Sequence, residues 1–97
     1  MAYEIVWAAE ADNDCRVIIT YLTEKWSLQV AEKFLVRTYN KLERLAQTPS
    51  IARSTSRNSV YMFKLDKKNV VFFTSENNHL VLLSIYPKKD ITKSKYY

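Results

Sequence analysis

The side chains in this sequence that could do chemistry are mostly cations, and they crowd into its second half. Residues 1–48 hold six Lys/Arg against seven Asp/Glu, whereas residues 49–97 hold nine against three. The net charge of +5 is therefore a property of one half of the chain. A basic half on a near-neutral scaffold suits an acidic partner or a phosphate backbone, which simple solubility would not require. Seven of these nine, Arg53, Arg57, Lys64, Lys67, Lys68, Lys88 and Lys89, are the candidates on the sheet side, and Lys93 and Lys95 fall in the tail. A second set, Lys33, Arg37, Lys41 and Arg44, recurs at steps of four, four and three, which stacks it on one side of a helix. That stripe could grip an acidic partner. Read as structure alone, it is the wetted side of an amphipathic helix, partly balanced by Glu32 and Glu43.

Other reactive types are scarce. His79, the only histidine, sits beside an Asn77-Asn78 turn and reads as solvated. Cys15, the only cysteine, falls on an apolar helix face and reads as a small buried hydrophobe. One histidine and one cysteine cannot build a zinc cage, and a chain without glycine has no phosphate-cradling glycine loop. Neither a metal nor a cofactor is expected.

These groups are positioned by a pair of amphipathic segments over residues 10–48, joined at Trp26-Ser27. Ala11, Cys15, Ile18, Leu22 and Trp26 line one face of the first; Ala31, Phe34, Leu35, Thr38, Leu42 and Leu45 line one face of the second. Ser27 can cap the second helix and Thr48-Pro49 stops it, while the first starts without a side-chain cap. The short polar link implies an antiparallel helical hairpin. Ahead of it, residues 3–8 read as a strand with Ile5 and Trp7 on one face. After it, residues 49–58 read as a polar, basic loop. Three β-branched and aromatic runs follow, 59–65, 69–74 and 80–86, and they form an antiparallel meander. Val60, Met62 and Lys64 share one strand face, and Tyr61, Phe63 and Leu65 the other. Without glycine, Asn69, Asn77 and Asn78 are left to supply positive φ angles. Residues 93–97 read as a short, basic, mobile tail.

The expected fold is α+β. An N-terminal strand and a helical hairpin pack on one face of a mainly antiparallel sheet ending in a three-stranded meander, all within one domain over residues 1–97. Composition supports a core, with 47% hydrophobic and 13% aromatic residues. No run of 18 apolar residues occurs and the N-terminus lacks a signal-peptide pattern, so a soluble, cytoplasmic protein without membrane contact is expected.

The ordered set of features resembles the ParE/RelE superfamily, toxins of bacterial type II toxin–antitoxin modules. The resemblance is carried by Tyr3-Glu4-Ile5-Val6-Trp7, Glu10-Ala11, Asp14, Ile18, Tyr21-Leu22, Trp26-Ser27, Ala31, Phe34-Leu35, Leu42, Leu45 and Thr48-Pro49. It continues through Lys68-Asn69-Val70-Val71-Phe72-Phe73 and Ile85-Tyr86-Pro87-Lys88-Lys89-Asp90. It departs at Ala52-Arg53, where the family often has Gly-Arg, and at Lys68-Asn69, where ParE-like members often have His-Asn. The resemblance implies a toxin neutralised by a cognate antitoxin, with Trp26, Lys33, Arg37, Lys41 and Arg44 as antitoxin-binding residues. Arg53, Arg57, Lys64, Lys68, Lys88 and Lys89 would form the basic face that meets the target. Two branches remain open. ParE-like toxins inhibit DNA gyrase by binding; RelE-like toxins cut messenger RNA on the ribosome, which needs a base, an acid and cations on the phosphate. Tyr86, Lys88, Lys89 and Lys64 are the candidates for such cleavage. The arginine those nucleases carry early in the third strand falls here at Asn69 or Val70, which favours the ParE-like branch. A basic binding module without toxicity is the third reading.

Overall fold

The strands and helices form close to where alternation and helical spacing place them. In the computed structural model, which describes residues 2–97, the elements are β1 (Glu4–Trp7), α1 (Ala9–Lys25), α2 (Leu28–Gln47), a 3-10 turn (Pro49–Ile51), β2 (Arg53–Ser54), β3 (Tyr61–Lys64), β4 (Asn69–Glu76), β5 (His79–Pro87) and a second 3-10 turn (Lys88–Lys93). The described strands make one sheet in the order β1-β5-β4-β3-β2. β1 runs parallel to β5, and the other neighbours are antiparallel.

Ser27 holds the start of α2, its hydroxyl oxygen accepting from the Val30 amide at 3.1 Å; such a cap is worth about 1 kcal/mol. α1 starts at Ala9 after Ala8, an N-cap residue that offers no side-chain hydrogen bond, and Glu10 and Asp12 in its first turn favour the positive end of its dipole. The apolar faces of the hairpin are buried at Ala11, Cys15, Ala31, Phe34, Thr38, Leu42 and Leu45. They pack on Val71, Phe73, Leu80, Leu82 and Ile85, with Tyr61 and Phe63 at the margin. Trp26 departs from the expected face and is 71% exposed. It is the C-cap of α1, and its backbone (φ −124, ψ −89) has already left the helix, so the ring no longer follows the stripe.

α1 is also tied to the sheet by a polar contact. β1 reaches only as far as Leu82 along β5, and the β4–β5 register shifts between Phe72 and Phe73. Beyond that point the Ile85 amide has no strand partner on the β1 side. The Asp14 carboxylate supplies one, accepting from Ile85 N at 3.0 Å and from the Ser84 hydroxyl at 3.2 Å.

Three expectations are corrected. Residues 49–58 are not one irregular loop: Pro49 opens a 3-10 turn and Arg53-Ser54 add an edge strand to β3. Positive φ is adopted by Asn77 and Asn78 as expected, but by Ser59 rather than Asn69. Asn69 instead closes a turn with Asp66, whose Oδ1 accepts from the Lys68 and Asn69 amides at 2.7 and 2.8 Å. Finally, the last residues are ordered against the sheet. Phe72 faces away from the helices and is fully buried because the Tyr96 ring covers it, centroids 6.1 Å apart. A main-chain oxygen of Tyr97 accepts from the Ser56 amide and hydroxyl at 2.9 and 2.7 Å. Lys95 reaches Glu10 at 3.3 Å, and the Tyr96 hydroxyl donates to the same carboxylate at 3.3 Å. Among the described residues, no helix is long and apolar enough to cross a membrane.

Candidate functional site

Register decides which cations meet. Lys64 pairs with Val70, and Val70 pairs with Tyr86, so the three form one cross-strand row. Their immediate neighbours Phe63, Val71 and Ile85 face the helices, which puts Lys64, Val70 and Tyr86 on the opposite, outer face. At two strand spacings, Lys64 and Tyr86 stand about 10 Å apart at the backbone. The segments at the strand ends bring in more charge. The Lys88 amide donates to the Lys68 carbonyl at 2.7 Å, and the Asp66–Asn69 turn holds Lys67 and Lys68 exposed. Lys64, Lys68, Tyr86, Lys88 and Lys89 therefore gather at one end of the sheet.

Arg53 lies one row further along the same outer face, through its pairing with Met62. Arg57 does not join them. It sits in the β2–β3 loop, at the opposite end of β3 from Lys64. Among the described residues, none of Arg53, Arg57, Lys64, Lys67, Lys68, Lys88 and Lys89 is in an ion pair, whereas Lys93 is neutralised by Asp90 at 3.4 Å and Lys95 by Glu10. These cations keep a net positive field at this end, with the Asp66 carboxylate in the same turn bonded to the Lys68 and Asn69 amides instead of to an ammonium.

The row has a gap in it. Val70, between Lys64 and Tyr86, is 5% exposed and aliphatic, and Asn69 spends its side chain on Asp66 at 3.3 Å. No cation projects from the start of β4.

The second cation set behaves differently. Lys33, Arg37, Lys41 and Arg44 line a shallow groove on α2 together with Val36 and Asn40. Val36 is 59% exposed there, and the Lys41 ammonium lies 5.9 Å from the Phe63 ring, which links the groove to the edge of the sheet. Trp26 is outside the groove, at the hairpin tip, beside the exposed Leu28. Reasoning from sequence missed Val36 and Asn40, whose spacing with Arg37 and Lys41 was the available signal. It also missed Asp14, for which no local signal existed.

His79 is not part of either region. It begins β5, some seven residues from Tyr86, and its Nε2 lies 3.9 Å from Glu4. Cys15 is buried; desolvation first, then the nearby Asp12 carboxylate, pushes its thiol pKa up, so it is a poor nucleophile. Among the described residues, no three His, Cys, Asp or Glu side chains come together as a metal set.

Solved structures share this architecture. A chain from "Chromosomal ParDE TA system from P. aeruginosa" superposes with a TM-score of 0.77 at 16% identity, covering 89% of this chain and 96% of that one. A chain of the toxin–antitoxin complex RelBE2 from Mycobacterium tuberculosis superposes at 0.61 and 11% identity, covering 91% and 100%. The fold is thus that of the ParE/RelE toxins. Residues 5–91 match the family described as ParE toxin of type II toxin-antitoxin system, parDE, and the chain belongs to that family. No curated protein matches it.

Proposed function

We infer that this toxin arrests growth by binding DNA gyrase without catalysis, and that residues 1–97 act as one toxin domain in the cytoplasm. The gyrase target rests on the family likeness, and one observation supports binding over cleavage: the gap at Asn69-Val70. A phosphoryl-transfer site must hold the scissile phosphate by several positive groups at once, and losing one such group commonly costs about 10²-fold in rate. Here the position between Lys64 and Tyr86 is a buried valine. The basic end of the sheet, with Lys64, Lys68, Lys88 and Lys89 and the adjoining Arg53, serves as the target-binding face; Arg57 extends it from the far loop. Purified protein is expected to block plasmid supercoiling by gyrase and to leave ribosome-bound message intact.

A cognate antitoxin is the second partner. The α2 groove offers a cationic wall, an exposed valine floor and a link to the sheet edge at Phe63, which fits an amphipathic segment carrying acidic residues. Trp26 would serve as a separate contact at the hairpin tip. Co-expression with the adjacent open reading frame and pull-down tests this pairing, and failure to co-purify counts against it.

The ribosome-dependent endoribonuclease is the second reading, because Lys64 and Tyr86 do share one face beside Lys88 and Lys89. Primer extension on a defined ribosome-bound message decides. Cleavage within the A-site codon that disappears in Tyr86→Phe would replace gyrase binding as the mechanism.

A further inference from the structure

The helical hairpin exposes more apolar surface than its packing on the sheet explains. A surface helix is expected to be polar opposite its core stripe. Here Val17 and Tyr21 on α1, Val36 and Tyr39 on α2, and Trp26 and Leu28 at the tip are all between 53% and 71% exposed. Val17 lies at the midpoint of α1 (Ala9–Lys25) and Val36 near that of α2 (Leu28–Gln47), so the two valines stand at about the same height along the antiparallel pair. The two helices also differ in charge. α1 holds Glu10, Asp12, Asp14 and Glu24 against Arg16 and Lys25, a balance of −2. α2 holds Lys33, Arg37, Lys41 and Arg44 against Glu32 and Glu43, a balance of +2. Lys95 offsets Glu10, but Glu24 and the four α2 cations are in no ion pair among the described residues. Height matters here too. Three of the α1 acids lie near its start, at the base of the hairpin, where Lys41 and Arg44 lie near the end of α2.

A face made of one acidic and one basic rod is complementary to itself when turned about a two-fold axis parallel to the rods. That rotation lays α1 of each copy antiparallel on α2 of the other and matches −2 with +2 twice. It also sets Val17 against Val36 and brings the two tips, with Trp26 and Leu28, side by side. An axis across the helices would instead stack α2 on α2 and oppose four cations with four, which is repulsive. We propose that the outer face of the hairpin binds a second copy of this chain, giving a two-fold dimer whose four helices form an antiparallel bundle. At about 1.5 Å per residue and about 10 Å between helix axes, the face measures roughly 25 by 20 Å, about 500 Å² per copy. Stable interfaces bury about 800 Å² per partner, so this dimer is weak and forms only as concentration rises. It covers the α2 wall proposed above for the antitoxin, so the two occupants exclude each other, but the dimer does not rest on that reading.

The test is sedimentation velocity of the full chain, purified without antitoxin, from about 2 to about 200 µM. A reversible shift from 11.4 kDa to twice that mass is expected, and added salt should weaken it by screening the attraction. Val17→Asp, checked for native circular dichroism, is expected to weaken dimerisation about ten-fold, since it places a charge at the centre of the contact. A charge swap identifies the pairing. One variant carries Lys33→Glu and Arg37→Glu, which makes both of its helices acidic; the other carries Asn13→Lys and Glu24→Lys, which makes both basic. Each is expected to stay monomeric alone, and the two to form a mixed dimer when combined. All four changes are at exposed positions, so this swap decides if Val17→Asp does not fold. A chain that stays monomeric at about 200 µM leaves the face to the antitoxin and overturns the proposal. So does association that salt strengthens, a folded Val17→Asp that dimerises as tightly as the unaltered chain, a charge variant that dimerises undiminished by itself, or a mixture that stays monomeric.

Discussion

Two regions of this molecule carry unpaired positive charge, and they come by it in different ways. On α2, Lys33, Arg37, Lys41 and Arg44 sit on one regular element, and helical spacing alone stacks them. At the end of the sheet, Lys64, Lys68, Lys88 and Lys89 come from a strand end, a turn and a 3-10 segment, and only strand register and the Lys88–Lys68 hydrogen bond assemble them with Tyr86. A stripe that any amphipathic helix would show says little about use. A cluster gathered from separate segments, and left without acidic partners, is harder to account for as mere solvation.

The largest expected effect separates the two regions outright. Replacing Lys88 and Lys89 together by Glu should abolish growth arrest, with affinity for the target falling about 10²-fold through the reversed field. The fold should persist, because exposed charges contribute little to stability. A double variant that is native by circular dichroism and still arrests growth would remove the sheet end from consideration. The reciprocal change, Arg37→Glu with Lys41→Glu, should leave arrest intact while slowing association with the co-purified antitoxin about ten-fold, in a salt-dependent way. Surface plasmon resonance at two ionic strengths reads this; a loss of toxicity instead would mean the two regions act as one surface.

Two smaller effects probe how the assembled region is held. Asp14→Ala leaves the Ile85 amide without its acceptor and should destabilise by about 1–3 kcal/mol, read as a lower thermal midpoint. It should also weaken target binding, since Asp14 fixes β5 one residue before Tyr86, whereas α2 function should not change. Ser59→Gly relieves a left-handed backbone at the cost of unfolded-chain entropy, and should stabilise by about 0.5 kcal/mol, measurable by urea unfolding. Destabilisation by this change would show that the Ser59 side chain is itself needed in the β2–β3 loop.

The regular elements were legible because their signals are local. The i, i+3, i+4 recurrence of Ala31, Phe34, Thr38, Leu42 and Leu45 defines a buried face wherever the helix packs, and Ser27 caps it from three residues away. Alternation in residues 61–64 likewise sent Tyr61 and Phe63 to the core and Lys64 outward. Trp26 shows the limit of that logic, since one residue of non-helical backbone takes it off the stripe. What only the tertiary structure decided is everything that depends on residues distant in the chain. Lys64 and Tyr86 share a row through β4, Asp14 meets Ile85 across 71 positions, and Ser56 meets Tyr97 across 41. A period in sequence specifies which face a side chain takes, but not which strand lies beside it. That choice is made by strand order and register, which follow from burying one face of the sheet under the helices while the other keeps its polar and charged side chains.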